Sequence, residues 1–125
     1  CTVPFLTKKD IANSVKLLIQ KKSGAVYGVY DQHLNPYFNM MEINSKGFLT
    51  ISKKLTKRPR SRQESPKVYK LNELFAYDAK KFLKTRNPIM KNALPYLIPL
   101  ETGFMIDTET EFKIAELMFT NFSKN

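Results

Sequence analysis

Several residue types that catalytic and structural sites commonly use are scarce in this chain of 125 residues. It contains one cysteine, one histidine, four glycines and no tryptophan. A single cysteine cannot make an internal disulfide or a zinc cluster, so we expect a reducing compartment, the cytoplasm. A Walker loop and a GxGxxG motif are both missing, which argues against a self-sufficient nucleotide-binding domain. No apolar run approaches the roughly 18 residues needed to cross a bilayer, so a membrane partner is not expected.

Nucleophilic catalysis would have to be built on Cys1 and His33. Cys1 stands at the start of the sequence, and His33 lies in a loop just before Asn35 and Pro36. The two do not form the nucleophile–base pair that such catalysis requires. No cluster of histidine and cysteine has the spacing of metal ligands. The sequence therefore does not predict a hydrolase.

Positive charge is abundant and unevenly distributed. The net charge is +10 at pH 7, which attracts anions such as nucleic acid, anionic lipid, or small phosphates and carboxylates. Residues 53–70 hold eight basic residues and the single acid Glu64, whereas residues 101–116 hold five acids and Lys113. Because the basic segment also contains prolines and few apolar residues, we predict that it is an exposed loop.

The start of the chain has the pattern of a helix followed by a buried strand. Thr7 and Asp10 have the spacing of a capping box, and we expect the helix to stop at Ser23 and Gly24. In residues 25–30 both the odd-numbered and the even-numbered positions are apolar, as in a strand buried on both faces. This order predicts an α/β unit with a parallel sheet. The apolar stripe predicted for the helix consists of Ile11, Val15, Leu18 and Ile19.

The rest of the chain alternates short strands and helices. Residues 38–44 and 48–51 are predicted to form a hairpin, and residues 68–77 another strand. Asp78 is expected to cap a short helix, and residues 92–100, with two prolines, to form a broken or edge strand. A second capping box precedes a terminal helix, and it consists of Thr108 and Glu111. The apolar face predicted for that helix consists of Phe112, Ala115, Met118, Phe119 and Phe122.

The end of the basic segment places guanidinium groups directly before a strand. Such groups suit bidentate binding of carboxylates and phosphates. The sequence there reads Arg62-Gln63-x-x-Pro66-x-Val68-Tyr69-x-x-Asn72. This resembles the RQxxPxxYxxN signature of the acylneuraminate cytidylyltransferases, the CMP-sugar-acid synthetases. Segments 4–11 and 106–116 are similar to the family's SPLRxxxDI segment and its DIDTxxDFxxAE ending, and all three motifs follow the family's order.

The resemblance implies a fold and a reaction. The fold is α/β, a partial Rossmann-like nucleotide-diphospho-sugar transferase fold with a mixed sheet and flanking helices, in which the N-terminal half is absent. Residues 1–125 would be the C-terminal part of a single cytidylyltransferase domain. The family transfers CMP from CTP to a sugar acid with the help of Mg²⁺ and releases pyrophosphate. In it, regions matching about 38–51 and 80–94 contribute to a dimer, so we expect a homodimer.

The resemblance also implies roles for individual residues. Arg62, together with Gln63 and Arg60, would bind the anionic sugar acid. Asn72 would lie on the strand beneath the substrate. Asp107 would take part in binding Mg²⁺, for which an oxygen ligand is suitable. From the residues themselves, Asp107 is also expected to cap the terminal helix together with Thr108.

Two other functions stay open. Met105 replaces the first aspartate of the family's ending, Glu73 replaces a glycine, and Phe38 stands where sialic-acid members often have a basic residue. Met105 and Glu73 leave room for a catalytically inactive relative, and the three departures together argue against canonical sialic acid as the substrate. The alternative is a small basic nucleic-acid-binding protein, in which Tyr69 and Phe75 would stack on bases. Because these aromatic residues are spaced as in a buried strand, nucleic acid is not the partner that we expect.

Overall fold

A computed structural model describes residues 2–122 of the chain, and the side chains of residues 2–120. Cys1 and the side chain of Phe122 lie outside the described residues. The chain divides into two compact units, of which the first is Cys1–Tyr30 with Leu71–Asn125 and the second is Asp31–Lys70. Of the described helices, none combines the length and the apolar character needed to span a bilayer.

The first unit opens with helix α1, Lys8–Lys21. Thr7 Oγ1 accepts a hydrogen bond from the Asp10 amide at 3.2 Å, and Asp10 Oδ2 accepts one from the Thr7 amide at 3.1 Å. The predicted capping box is thus confirmed. The helix ends slightly before the predicted Ser23 and Gly24. Its last residue is Lys21, because Lys22 adopts the left-handed conformation with φ 50°. Its amide donates to carbonyl groups of the last helical turn.

The apolar stripe predicted for α1 is only partly correct. Leu18 is buried, but Ile11, Val15 and Ile19 are 50%, 43% and 69% exposed. The buried row of the helix instead contains Ser14, which is 0% exposed and whose hydroxyl donates to the Ile11 carbonyl at 2.8 Å. Residues four apart form rows on a helix surface, and the small serine allows its row to approach the sheet closely.

A three-stranded sheet forms the centre of the first unit. Its strands are β1 (Ala25–Asp31), β4 (Tyr69–Tyr77) and β5 (Ala93–Leu97), in the order β4-β1-β5. Strands β1 and β5 are parallel, with Ala25 opposite Ala93. Central β1 is buried through Tyr30, as predicted. The α/β class, with a mixed sheet and flanking helices, is confirmed and is consistent with a partial Rossmann-like fold.

The outer strands occupy the predicted segments, but the expected burial of the aromatic residues of β4 is wrong: Tyr69 and Phe75 are 38% and 39% exposed. In β4 the buried residues are Asn72, Leu74 and Ala76, which share one face. Strand β5 is at the edge of the sheet, as predicted. Pro95 has no amide to donate to a neighbouring strand, and an edge strand tolerates this because one of its sides has no neighbour. Helix α2, Ala79–Thr85, begins at the predicted cap.

Two helices follow β5, α3 (Leu100–Gly103) and α4 (Glu109–Phe122). Thr108 Oγ1 accepts a hydrogen bond from the Glu111 amide at 3.2 Å, and this confirms the capping interaction. The predicted apolar face of α4 is only partly correct. Ala115 is buried at 5% exposure, but Phe112 and Phe119 are more than half exposed.

The second unit contains the predicted hairpin. Strands β2 (Met41–Ile43) and β3 (Leu49–Ile51) are antiparallel and shorter than predicted. Gly47 in the connecting turn has φ 83°, a conformation that favours glycine. After β3 the basic segment is irregular apart from one 3-10 turn, Arg62–Glu64. This confirms the predicted loop.

Candidate functional site

The second unit contains a cavity of about 290 Å³ beside the 3-10 turn. Two of the motif residues, Arg62 and Gln63, line it together with residues from a distant part of the chain. The full set of lining residues is Asp31, Gln32, Asn35, Arg62, Gln63, Ser65, Lys67 and Val68.

Asn35 holds the two walls of this cavity together. It is 4% exposed, and its Nδ2 donates to the Pro66 carbonyl at 3.1 Å. Its Oδ1 accepts from the Tyr37 amide at 2.9 Å, and its own amide donates to Asn39 Oδ1 at 2.6 Å. The buried amide therefore ties the loop after β1 to the end of the basic segment. Without its partners, it would carry an unsatisfied polar group.

The 3-10 turn places Arg62 and Gln63 at the cavity. Glu64 Oε2 accepts a hydrogen bond from the Arg60 amide at 2.9 Å, and the Ser65 amide donates to the Arg62 carbonyl at 3.1 Å. The one acid of the basic segment is thus used to fix the turn. Within residues 2–120, no hydrogen bond or ion pair engages the Arg62 guanidinium. It is therefore available to an anion.

Lys67 is a second cation in the cavity. Its Nζ lies 3.6 Å from Asp31 Oδ2 and 5.3 Å from the centre of the Tyr69 ring. The interaction with Tyr69 and, after it, the charge of Asp31 raise the pKa of Lys67 above its ordinary value. The ammonium group is therefore charged at neutral pH. The charged side chains of the cavity are two cations and one carboxylate.

Sequence reasoning predicted only part of this cavity. Arg62 and Gln63 were predicted from the motif, whereas Arg60, also predicted, is not among the lining residues. Asp31 and Lys67 were missed. Asp31 lies about 30 positions before the motif at the end of β1, and no local pattern connects a strand end with a distant loop.

Asn72 lies in the first unit and is almost fully buried, at 1% exposure. Its Nδ2 donates to the Gly103 carbonyl at 2.9 Å, and its Oδ1 accepts from the Leu74 amide at 3.1 Å. Both ends of the side-chain amide are therefore engaged, and they connect β4 with α3. This gives Asn72 a structural task.

Asp107 also lies in the first unit, exposed and immediately before the cap of α4. Its amide donates to Glu111 Oε2 at 2.9 Å. Among the described residues, no group of three or more histidine, cysteine, aspartate or glutamate side chains is placed to hold a metal ion. Mg²⁺ is often bound by one or two carboxylates together with water and phosphate oxygens. Asp107 offers one such carboxylate, which fits an ion shared with a phosphate-bearing substrate.

The departures from the family's motifs have clear structural settings. Met105 is 8% exposed and packs in an apolar cluster with Val3 and Tyr30. A thioether there is no ligand for a hard cation such as Mg²⁺. Glu73 is exposed on β4, on the face opposite its buried neighbours. His33 is exposed in its loop.

Comparisons with known proteins give two distant relatives. No family model matches the chain. The chain is 25% identical over 118 residues to Post-translational flagellin modification protein B of Campylobacter coli, an alignment that covers 94% of the chain and 49% of the relative. It is 32% identical over 88 residues to CMP-N,N'-diacetyllegionaminic acid synthase of Campylobacter jejuni, covering 69% and 36%.

These similarities support the predicted resemblance at a general level. The chain spans about half the length, or less, of the curated relatives that it matches. It is a distant homologue of proteins named for flagellin modification and for CMP-sugar-acid synthesis, and this supports at most a cytidylyltransferase-like family.

Proposed function

We propose that the chain is part of a cytidylyltransferase that transfers CMP from CTP to a nonulosonic-type sugar acid and releases pyrophosphate. One relative is named as a synthase of a CMP-linked sugar acid. The observation that carries the proposal is the cavity of the second unit, in which Arg62 and Gln63 of the motif lie side by side. A guanidinium that no side chain of residues 2–120 engages, in a concave site of this size, suits a small carboxylate ligand.

In this proposal the chain supplies the binding groups for the sugar acid. The guanidinium of Arg62 forms two parallel hydrogen bonds with the carboxylate, and the Gln63 amide binds a hydroxyl group of the sugar. Asn72 acts indirectly, because its hydrogen bond to Gly103 fixes the segment that leads towards Asp107.

Mg²⁺, when bound, would neutralise charge on the phosphates of CTP, with Asp107 as the carboxylate that this chain offers to it. No residue in 1–125 matches the family's glycine- and lysine-containing loop for CTP. We therefore expect the nucleotide to be held by residues outside this sequence.

A turnover assay tests the proposal. The gene product that contains this chain is incubated with CTP, Mg²⁺ and a panel of sugar acids: N,N'-diacetyllegionaminic, N-acetylneuraminic, pseudaminic and ketodeoxyoctulosonic acid. Pyrophosphate release with at least one acid is expected, and residues 1–125 alone should stay at the level of the blank. Absence of release with every acid would contradict the activity and favour the inactive relative.

The nucleic-acid alternative is tested separately. In the structure Phe75 packs edge-on against Tyr27, with the ring centres 5.4 Å apart, and so is engaged within the first unit. Tight binding of DNA or RNA near physiological salt, lost when Arg58, Arg60 and Arg62 are replaced by glutamine, would favour that alternative over the proposed function.

A further inference from the structure

We propose that Lys67 and Asp31 select the substrate of the Arg62 cavity: Lys67 is a second cation for the acidic group, and Asp31 accepts a hydrogen bond from a hydroxyl or N–H group beside it. The inference rests on the proposed function, since it takes this cavity as the sugar-acid site. It adds two residues that neither the motifs nor the relatives' names assign, and a preference for a carboxylate that carries hydroxyl groups over one that does not.

The placement of the pair supports a role in binding. Lys67 and Asp31 come from different walls of the cavity, and both line it with Arg62. Their side chains are 64% and 67% exposed, and their charged atoms are 3.6 Å apart. An exposed ion pair of this kind contributes little to stability, because solvent screens the two charges. The pair is therefore a weak structural element, but it places two opposite charges where a ligand would meet them.

The charges around the cavity match a single negative charge. Arg62 and Lys67 are its cationic residues and Asp31 its acidic residue, so one carboxylate makes two attractive contacts. Glu64 is not among the residues that line the cavity, and its carboxylate accepts a hydrogen bond from the Arg60 amide.

Asp31 supplies the discrimination. A carboxylate acceptor in a binding site penalises a ligand that has no donor to offer, because the acceptor is then desolvated without a partner. It also repels a ligand with further negative charge. A sugar acid carries hydroxyl groups beside its carboxylate, whereas pyruvate has the carboxylate without such donors. The pair should therefore favour the sugar acid over the simple acid.

The test measures binding of N,N'-diacetyllegionaminic acid and of pyruvate to the gene product that contains this chain by ligand-observed NMR titration. The variants are Lys67→Gln and Asp31→Asn, and the matched control is Lys57→Gln, which removes one charge from the same segment but lies outside the cavity lining. Loss of one charge-assisted contact should weaken sugar-acid binding about tenfold in Lys67→Gln. In Asp31→Asn the preference for the sugar acid over pyruvate should fall about tenfold. Lys57→Gln should resemble the wild type.

Each result separates the inference from the function on which it rests. Equal weakening in Lys67→Gln and Lys57→Gln would overturn the role of Lys67, and an unchanged preference in Asp31→Asn would overturn that of Asp31. If Arg62→Gln nevertheless abolishes sugar-acid binding, the proposed function stands without the pair. A wild-type protein that binds none of the four sugar acids of the turnover panel contradicts both. Circular dichroism of every variant verifies that the chain is folded.

Discussion

The two motif residues Arg62 and Asn72 occupy very different environments. Arg62 is exposed at a cavity and its guanidinium is available, whereas Asn72 is buried with both ends of its amide engaged. A motif read from sequence treats the two alike, because spacing does not reveal burial. The structure separates a residue suited to bind a ligand from one suited to hold the backbone that surrounds a site.

Replacing Asn72 by alanine should destabilise the first unit. The change leaves the Gly103 carbonyl and the Leu74 amide without their partners and opens a small void, at a cost of about 2–4 kcal/mol. Urea denaturation followed by circular dichroism measures this cost. The control is Glu73→Ala, an exposed neighbour on the same strand that should change stability by less than about 0.5 kcal/mol. Equal stability of the two variants would show that the buried amide is not structural.

At the scale of elements, the starts of α1 and α4 were predictable and the orientation of the helices was not. The capping box of α1 is confirmed. In α4 Thr108 caps the Glu111 amide as predicted, but Glu111 Oε2 accepts from the Asp107 amide and the Thr108 hydroxyl. Which row of α1 faces the sheet depends on what the sheet presents, so the periodicity of Ile11, Val15 and Ile19 gave the wrong row. The same reason explains why Phe112 and Phe119 are exposed on α4.

The capping carboxylate of α1 also connects that helix to β5. The Tyr96 hydroxyl donates to Asp10 Oδ1 at 3.1 Å, and the Asn13 amide approaches the same hydroxyl at 3.4 Å. Burial by itself raises the pKa of Asp10, but the hydrogen bonds from Thr7 and Tyr96 outweigh it and lower the pKa below 3.8. A carboxyl group with a lowered pKa stabilises the fold above its ordinary pKa and loses that contribution as the pH falls through the folded value.

Replacing Tyr96 by phenylalanine should therefore reduce the acid sensitivity of the fold. Without the hydroxyl, the pKa of Asp10 moves back towards its ordinary value, and less stability is lost as the pH falls from neutral to below that value. The free energy of unfolding, measured in urea across that range, tests this. Tyr77→Phe is the matched control, because the Tyr77 hydroxyl donates to the Pro88 carbonyl and contacts no carboxylate. An unchanged pH profile in Tyr96→Phe would contradict the role of this hydrogen bond.

At the scale of the whole molecule, the α/β class and the burial of β1 could be derived from sequence, but the strand order and the cavity could not. The helix–strand order and the apolar run of β1 indicate the class directly. The cavity depends on a contact between Asp31 and a loop more than 30 residues away. A homodimer remains a prediction. The hairpin of the second unit exposes apolar side chains that such an interface would cover: Met41, Ile43, Phe48 and Leu49.

A charge on the hairpin should prevent association. If residues 38–51 contribute to a dimer, Ile43→Lys places an ammonium group at a residue that is 73% exposed in the single chain and covered in the dimer. Sedimentation velocity should show a dimer for the wild type and a monomer for this variant. Lys46→Gln, in the turn of the same hairpin, serves as the control. A wild-type chain that sediments as a monomer at every concentration would contradict self-association by residues 1–125.

The central claim is that the cavity of the second unit binds a sugar acid through Arg62. Isothermal titration of the gene product that contains this chain with N,N'-diacetyllegionaminic acid tests it most directly, with Arg62→Gln compared with Lys57→Gln at matched ionic strength. The account predicts saturable binding that Arg62→Gln weakens at least about tenfold, because a bidentate charge-assisted contact is lost, while Lys57→Gln keeps the wild-type affinity. Equal affinity of the two variants for the sugar acid would contradict it.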